Sequence, residues 1–151
     1  MGVVALATWL ATAAGGLYLL AVWLIEYDGG LRTSAQTRLP IPVIGTHSLL
    51  AVAGIVVWSV HLFTGDPALA WITLVILGCV ALLGLGMAVR WLHGYRTEEP
   101  ASIPTVTPER NFPVTVVVLH GLLGVATVVL VLTTILLGQL PGPRHPAASP
   151  G

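Results

Sequence analysis

Lysine is absent from this chain of 151 residues, cysteine occurs once, and charge is sparse, with six arginines facing six acidic side chains. Each shortage closes a class of function. Balanced charge carried by so few groups leaves no basic footprint for nucleic acid. The lone Cys79 excludes an intrachain disulfide and a cysteine zinc site. No Gly-rich phosphate loop, nucleophile elbow or His-Glu-x-x-His helix occurs, so nucleotide hydrolysis, serine hydrolysis and zinc proteolysis lack the residues to carry them.

What the chain has instead is apolar length: 56% of its residues are hydrophobic and the mean hydropathy is +0.93. Crossing a hydrocarbon core takes about 20 apolar residues. Four stretches reach that length, at about 3–25, 41–63, 68–92 and 113–137. These predict an all-α, integral membrane four-helix bundle over residues 1–140, with no residue left for a soluble domain. The Pro, Gly and Ala-rich tail, 141–151, has no apolar face to bury and reads as disordered. Between the second and third stretches, Gly65 suits a helix end, Asp66 a cap and Pro67 a first turn.

Arginine placement predicts orientation, because retained positive charge favours the cytoplasmic side. Arg32, Arg38, Arg90, Arg96 and Arg110 lie in or beside the two longer connections, whereas the tail contributes only Arg144. Both long loops are therefore expected in the cytoplasm and both termini outside. Trp23 and Trp91 are then expected at the cytoplasmic interface, with Trp9, Trp58 and Trp71 in an aromatic belt at the other. The first stretch lacks a basic n-region and reads as a retained helix rather than a cleaved signal.

A segment occurs twice. Pro40 to Gly65 overlays Pro113 to Gly138 without a gap, so that His47 falls on His120, Leu49 and Leu50 on Leu122 and Leu123, and Val52, Ala53 and Val56 on Val125, Ala126 and Val129. This register predicts two related helical hairpins in parallel duplication, with two imidazoles at one depth of the membrane. A polar ring there calls for an explanation. One reading makes His47 and His120 the axial ligands of a b-type haem between the second and fourth helices. Small neighbours (Gly45, Ser48, Gly121 and Gly124) would give room, and Arg38, Arg90 and Arg110 would meet the propionates. That reading requires both rings turned inward with a slot between them, and electrons exchanged with a quinone or a protein partner.

Two other readings use the same histidines. In a non-catalytic accessory or scaffold subunit of a membrane complex, the imidazoles hydrogen-bond to a hydroxyl such as Thr12, Thr46 or Thr115, or to each other, in a dry seam of Leu and Val. In a small transporter or proton path they line a water-accessible cavity, and homo-oligomers would supply the helices a substrate pathway needs. Met87 is an alternative axial ligand, Tyr27, His93 and Tyr95 could contribute to a quinone headgroup site, and Glu98, Glu99 and Glu109 read as solvated loop charge.

His61 lies fourteen positions after His47, about 21 Å along a helix and on nearly the same face. With His47, His61 and His120 so placed, the chain locally resembles the haem-ligand helices of membrane cytochromes b, in which two histidines on one helix serve two stacked haems. The resemblance implies b-haem ligation at His47 and His120. It stops at Thr134, which stands opposite His61 in the repeat and is no axial ligand; His61 reads instead as an interfacial residue at a helix C-terminus. In composition and layout the whole chain also resembles small uncharacterised four-helix membrane proteins of high-GC Gram-positive bacteria, which implies a plasma-membrane location and carries no mechanism.

Overall fold

The structure, a computed structural model, describes residues 1–31, 37, 39–97 and 108–139. Arg32, Arg38, Glu98, Glu99 and the tail from Pro141 lie outside the described residues, as does the side chain of Tyr95. Four long helices account for nearly all of the rest: α1 (Gly2–Leu31), α2 (Ile41–Thr64), α3 (Pro67–Thr97) and α4 (Val114–Gly138), with a 3-10 turn, η1, at Pro108–Asn111. All four are long and apolar enough to cross a membrane. The chain is a helical bundle of the multi-pass membrane kind. Helices α1 and α3 continue past their apolar windows to Leu31 and Thr97, because hydropathy marks where lipid ends and not where hydrogen bonding ends.

The turn between α2 and α3 is built as its residues suggest. Gly65 adopts the left-handed region at φ 71°, and its N–H donates to the His61 carbonyl at 2.8 Å. Asp66 Oδ1 accepts from the Ala68 N–H at 2.8 Å, and Pro67 opens α3, where no amide donor is needed. His61 closes the turn from within: its Nδ1 donates to the Asp66 carbonyl at 2.8 Å, and its ring lies 4.9 Å from that of Trp58.

Consecutive helices run antiparallel and α4 returns to α1, so the four form a square. The tightest edges are α2 with α3 and α1 with α4. Helices α2 and α4 stand on a diagonal, with no close backbone approach among the described residues. Valine, leucine and isoleucine side chains such as Val3, Leu17, Leu49, Val75, Leu82 and Leu122 face outward, a surface suited to hydrocarbon.

The inward faces separate into two layers along the axis. In the layer near the α2–α3 turn, Ala5, Trp9, Trp58, Ala70, Leu77, Val131 and Ile135 form the core. This corrects the aromatic belt expected at that end. Trp9 and Trp58 are 2% and 0% exposed and fill the bundle interior, and of the three only Trp71 is on the surface. Gly54 makes the room, since a Cβ there would stand 2.6 Å from Trp9 Cη2, while the Trp58 indole N–H is satisfied by the Gly2 carbonyl at 3.1 Å. Buried positions recur at fixed separations: Gly54 and Trp58 answer to Thr127 and Val131, each 73 positions on, and Ala5 and Trp9 to Thr73 and Leu77, each 68 on.

Gly54→Ala is expected to overpack this layer and to destabilise the bundle by about 1–3 kcal/mol. Gly78→Ala, which meets nothing within 4 Å, serves as the control. Unfolding in a graded anionic-detergent titration followed by circular dichroism measures the difference.

Candidate functional site

Seven residues separate His47 from Gly54 on α2 and His120 from Thr127 on α4, nearly two helical turns, so both histidines share the inward face of the buried positions. They lie on the side of the tryptophan layer toward the long connections. Although their helices stand on a diagonal, the two rings meet, with centroids 6.3 Å apart and planes inclined at 61°. Both are half-buried within the bundle.

The hydrogen bonds of the two rings match. His47 Nδ1 donates to the Val80 carbonyl of α3 at 3.0 Å, and His120 Nδ1 donates to the Thr12 carbonyl of α1 at 2.8 Å. A carbonyl oxygen can only accept, so each Nδ1 carries a proton, and in the neutral ring Nε2 is left with its lone pair. Among the described residues neither Nε2 has a hydrogen-bond partner, and neither is fully enclosed. The partners are thus backbone carbonyls rather than the hydroxyls of Thr12, Thr46 or Thr115. Those of Thr12 and Thr127 lie 3.5 Å apart and donate back to their own helices, at Thr8 and Leu123.

The room around the rings comes from glycines other than those flanking the histidines. Gly45 and Gly121 face open space, and Gly124 lies toward Thr12. It is Gly84 of α3 and Gly16 of α1 that abut the imidazoles: a Cβ built there would stand 3.1 Å from His47 Cε1 and 2.8 Å from His120 Cε1. Neither glycine stands beside a histidine in the sequence. Their signal is a glycine inside an otherwise apolar helix, at Gly15-Gly16 and in Gly84-Leu85-Gly86. Met87, the alternative ligand, is half-buried on α3 one turn beyond Gly84.

Of the arginines expected near a cofactor, Arg90 is exposed on α3, six residues past Gly84 and so about 120° around the helix from the face that touches His47. Arg110 is exposed on η1, and Arg38 lies outside the described residues. His93 is exposed on α3, and Tyr27 stacks on Trp23 with centroids 4.8 Å apart.

Glu109 overturns the expectation of a solvated charge. It is 3% exposed, because η1 folds the loop back against α1 and α3. Its Oε2 accepts from Thr37 Oγ1 at 3.2 Å, and its backbone carbonyl accepts from Trp91 Nε1 at 3.1 Å. Thr37 Oγ1 in turn accepts from Trp23 Nε1 and from the Leu39 N–H, each at 3.2 Å. A threonine, a glutamate and two indoles therefore fasten both long connections to the bundle end. A loop carboxylate of this kind carries no mark in a sequence, since its burial depends on where η1 docks.

Comparison with protein-family models, with curated proteins and with solved structures finds no match to this chain. The chemistry of the site rests on its own geometry. Among the described residues no group of three His, Cys, Asp or Glu side chains is placed to hold a metal ion, so the histidine pair offers two ligands and no third.

Glu109→Ala removes one of two acceptors within reach of the Thr37 hydroxyl, the other being the Leu39 carbonyl at 3.2 Å, and is expected to cost about 0.5–1.5 kcal/mol. Glu109→Gln keeps an acceptor oxygen for Thr37 and loses less. The same detergent titration, read through tryptophan fluorescence to which Trp23 and Trp91 contribute with the other three indoles, checks the order.

Proposed function

We propose that the chain is a membrane electron-transfer module holding one b-type haem between α2 and α4, with His47 and His120 as its axial ligands. The observation that carries this reading is the state of the two rings: each Nδ1 is tied to a helix carbonyl, and each Nε2 is unbonded. Metal-ligating histidines are oriented in the same way, with one nitrogen held by a carbonyl so that the other presents its lone pair.

Ligand number supports haem over a bare ion. A zinc site needs four ligands, of which at least three usually come from protein, whereas haem iron receives four nitrogens from its porphyrin and needs only an axial pair. Spacing supports it as well. Two imidazoles that would hold one iron between them need their rings close together across the bundle. The rings here are at 6.3 Å. Edge-on aromatic pairs also occupy that range, so the free Nε2 atoms weigh more than the distance.

A bound b-type haem supplies a one-electron couple. The chain's own residues supply the tautomer and the apolar enclosure; of the arginines expected to meet the propionates, Arg38 and Arg110 belong to the long connections, and Arg90 lies off the imidazole face of α3. The tryptophan layer fills the remaining depth of the bundle, and Thr134 stands where a partner for His61 would be needed; both favour one haem rather than two. A quinone or a second membrane protein is the electron partner in this reading. The location is the plasma membrane, with the long connections in the cytoplasm.

The reading is tested by a reduced-minus-oxidised absorption spectrum of protein expressed with ample haem and purified in mild detergent. A b-type spectrum at about one haem per chain, lost in both His47→Ala and His120→Ala, is the expected result. A folded, monodisperse and haem-free protein sinks the proposal and leaves a non-catalytic accessory subunit. For the orientation, single cysteines replace Glu99 or Gln139 in a Cys79→Ala background. A membrane-impermeant thiol reagent applied to intact cells is expected to label Gln139→Cys and to spare Glu99→Cys; the reverse pattern inverts the topology.

A further inference from the structure

The two imidazoles are seated in the same way on two different helices. On α1 the acceptor is the carbonyl of Thr12 and the abutting residue is Gly16; on α3 they are the carbonyl of Val80 and Gly84. The residues are four apart in each case, and the two pairs stand 68 positions apart in the chain. In an α-helix the carbonyl of residue i already accepts the N–H of residue i+4. It retains a second lone pair, but the side chain at i+4 leans back over that turn and covers it. A glycine at i+4 leaves the carbonyl open from the side. An imidazole can then lie along the helix, with Nδ1 at the carbonyl and Cε1 over the glycine.

We infer that Gly16 and Gly84 are the positioning residues of the histidine pair: each uncovers one helix carbonyl and leaves one imidazole the space to bond it, which fixes the tautomer and aims Nε2. Each unit is assembled across the bundle's two hairpins. His47 of the α1–α2 hairpin is seated by α3, and His120 of the α3–α4 hairpin is seated by α1. The spectroscopic part of this inference rests on the haem reading, whereas the tautomer part does not.

An alanine at either position acts on the ring directly. The Gly16→Ala methyl would stand 2.8 Å from His120 Cε1, 3.4 Å from Nδ1 and 3.7 Å from Nε2, and the Gly84→Ala methyl 3.1 Å from His47 Cε1 and 3.6 Å from Nδ1. A free ring could swing aside. A ring held by a carbonyl at one nitrogen and a metal at the other must release one of them. The effect is therefore expected to be larger at Gly16. Gly86 on α3 meets nothing within 4 Å and provides the control.

Two readouts are made on the full chain in detergent. In the first, haem is titrated into wild type, Gly16→Ala, Gly84→Ala and Gly86→Ala and followed by optical and electron paramagnetic resonance spectra. The expected outcome is six-coordinate low-spin haem in wild type and Gly86→Ala. Gly16→Ala should lose affinity by about 10–100-fold, the range for residues that orient a ligand, and pass to a five-coordinate high-spin form; Gly84→Ala should follow in the same direction to a smaller extent. In the second, nitrogen-15 resonances of the histidines in protein prepared without haem report the tautomer. Both rings are expected as Nδ1–H in wild type, with His120 changed in Gly16→Ala and His47 in Gly84→Ala. If wild type takes up no haem yet its tautomers shift in this pattern, the positioning role stands and the haem reading falls. Should Gly16→Ala not fold, the milder Gly84→Ala carries the test. Wild-type tautomers and wild-type spectra in the folded glycine variants would overturn the inference.

Discussion

An unsatisfied polar group has no water to turn to inside a bilayer, and in this chain backbone carbonyls answer that need almost everywhere. The hydroxyls of Thr8, Thr12, Ser59, Thr73, Thr127, Thr133 and Thr134 fold back onto carbonyls one turn earlier in their own helices. The Trp58 indole uses the carbonyl of Gly2, and Trp91 that of Glu109. The histidines follow the same rule with a difference: each reaches a carbonyl on another helix, so that satisfying its N–H also joins two helices. Helix packing, ring orientation and the availability of Nε2 all depend on that bond.

The two layers of the interior divide the work. Near the α2–α3 turn, two indoles and a set of aliphatic side chains form the core, and Gly54 admits Trp9 where a larger residue would collide with it. Packing of this kind is the main attraction between helices where lipid is as apolar as the side chains. Toward the long connections the interior holds the two imidazoles, against Gly16 of α1 and Gly84 of α3. A rigid aliphatic and aromatic layer beside a polar one is a sound arrangement for a site, because ligands are held more accurately on packed helices than on loops.

The helices and the turn at Gly65 were legible in the sequence because each rests on local signals: apolar length for the spans, and Gly65, Asp66 and Pro67 for the turn. So was the inward placement of His47 and His120, since a ring at that depth has no partner in lipid. Other features depend on contacts that no local pattern encodes. The burial of Trp9 and Trp58 follows from glycines on other helices, at Gly54 and Gly2. The burial of Glu109 follows from the docking of η1 on α1. The seats of the imidazoles are the least legible, because they consist of a carbonyl, which every residue has, and of a glycine, which has no side chain to notice.

Contact between α1 and α4, where the seat of His120 lies, has a bearing on biogenesis. Helices enter a membrane in chain order, so α1 waits through the insertion of α2 and α3 before the residue that caps its Thr12 carbonyl arrives. Until α4 is in place, the bond from His120 Nδ1 to the Thr12 carbonyl cannot form. The histidine pair is therefore completed only once α4 has joined α1, and no intermediate lacking α4 can hold both imidazoles.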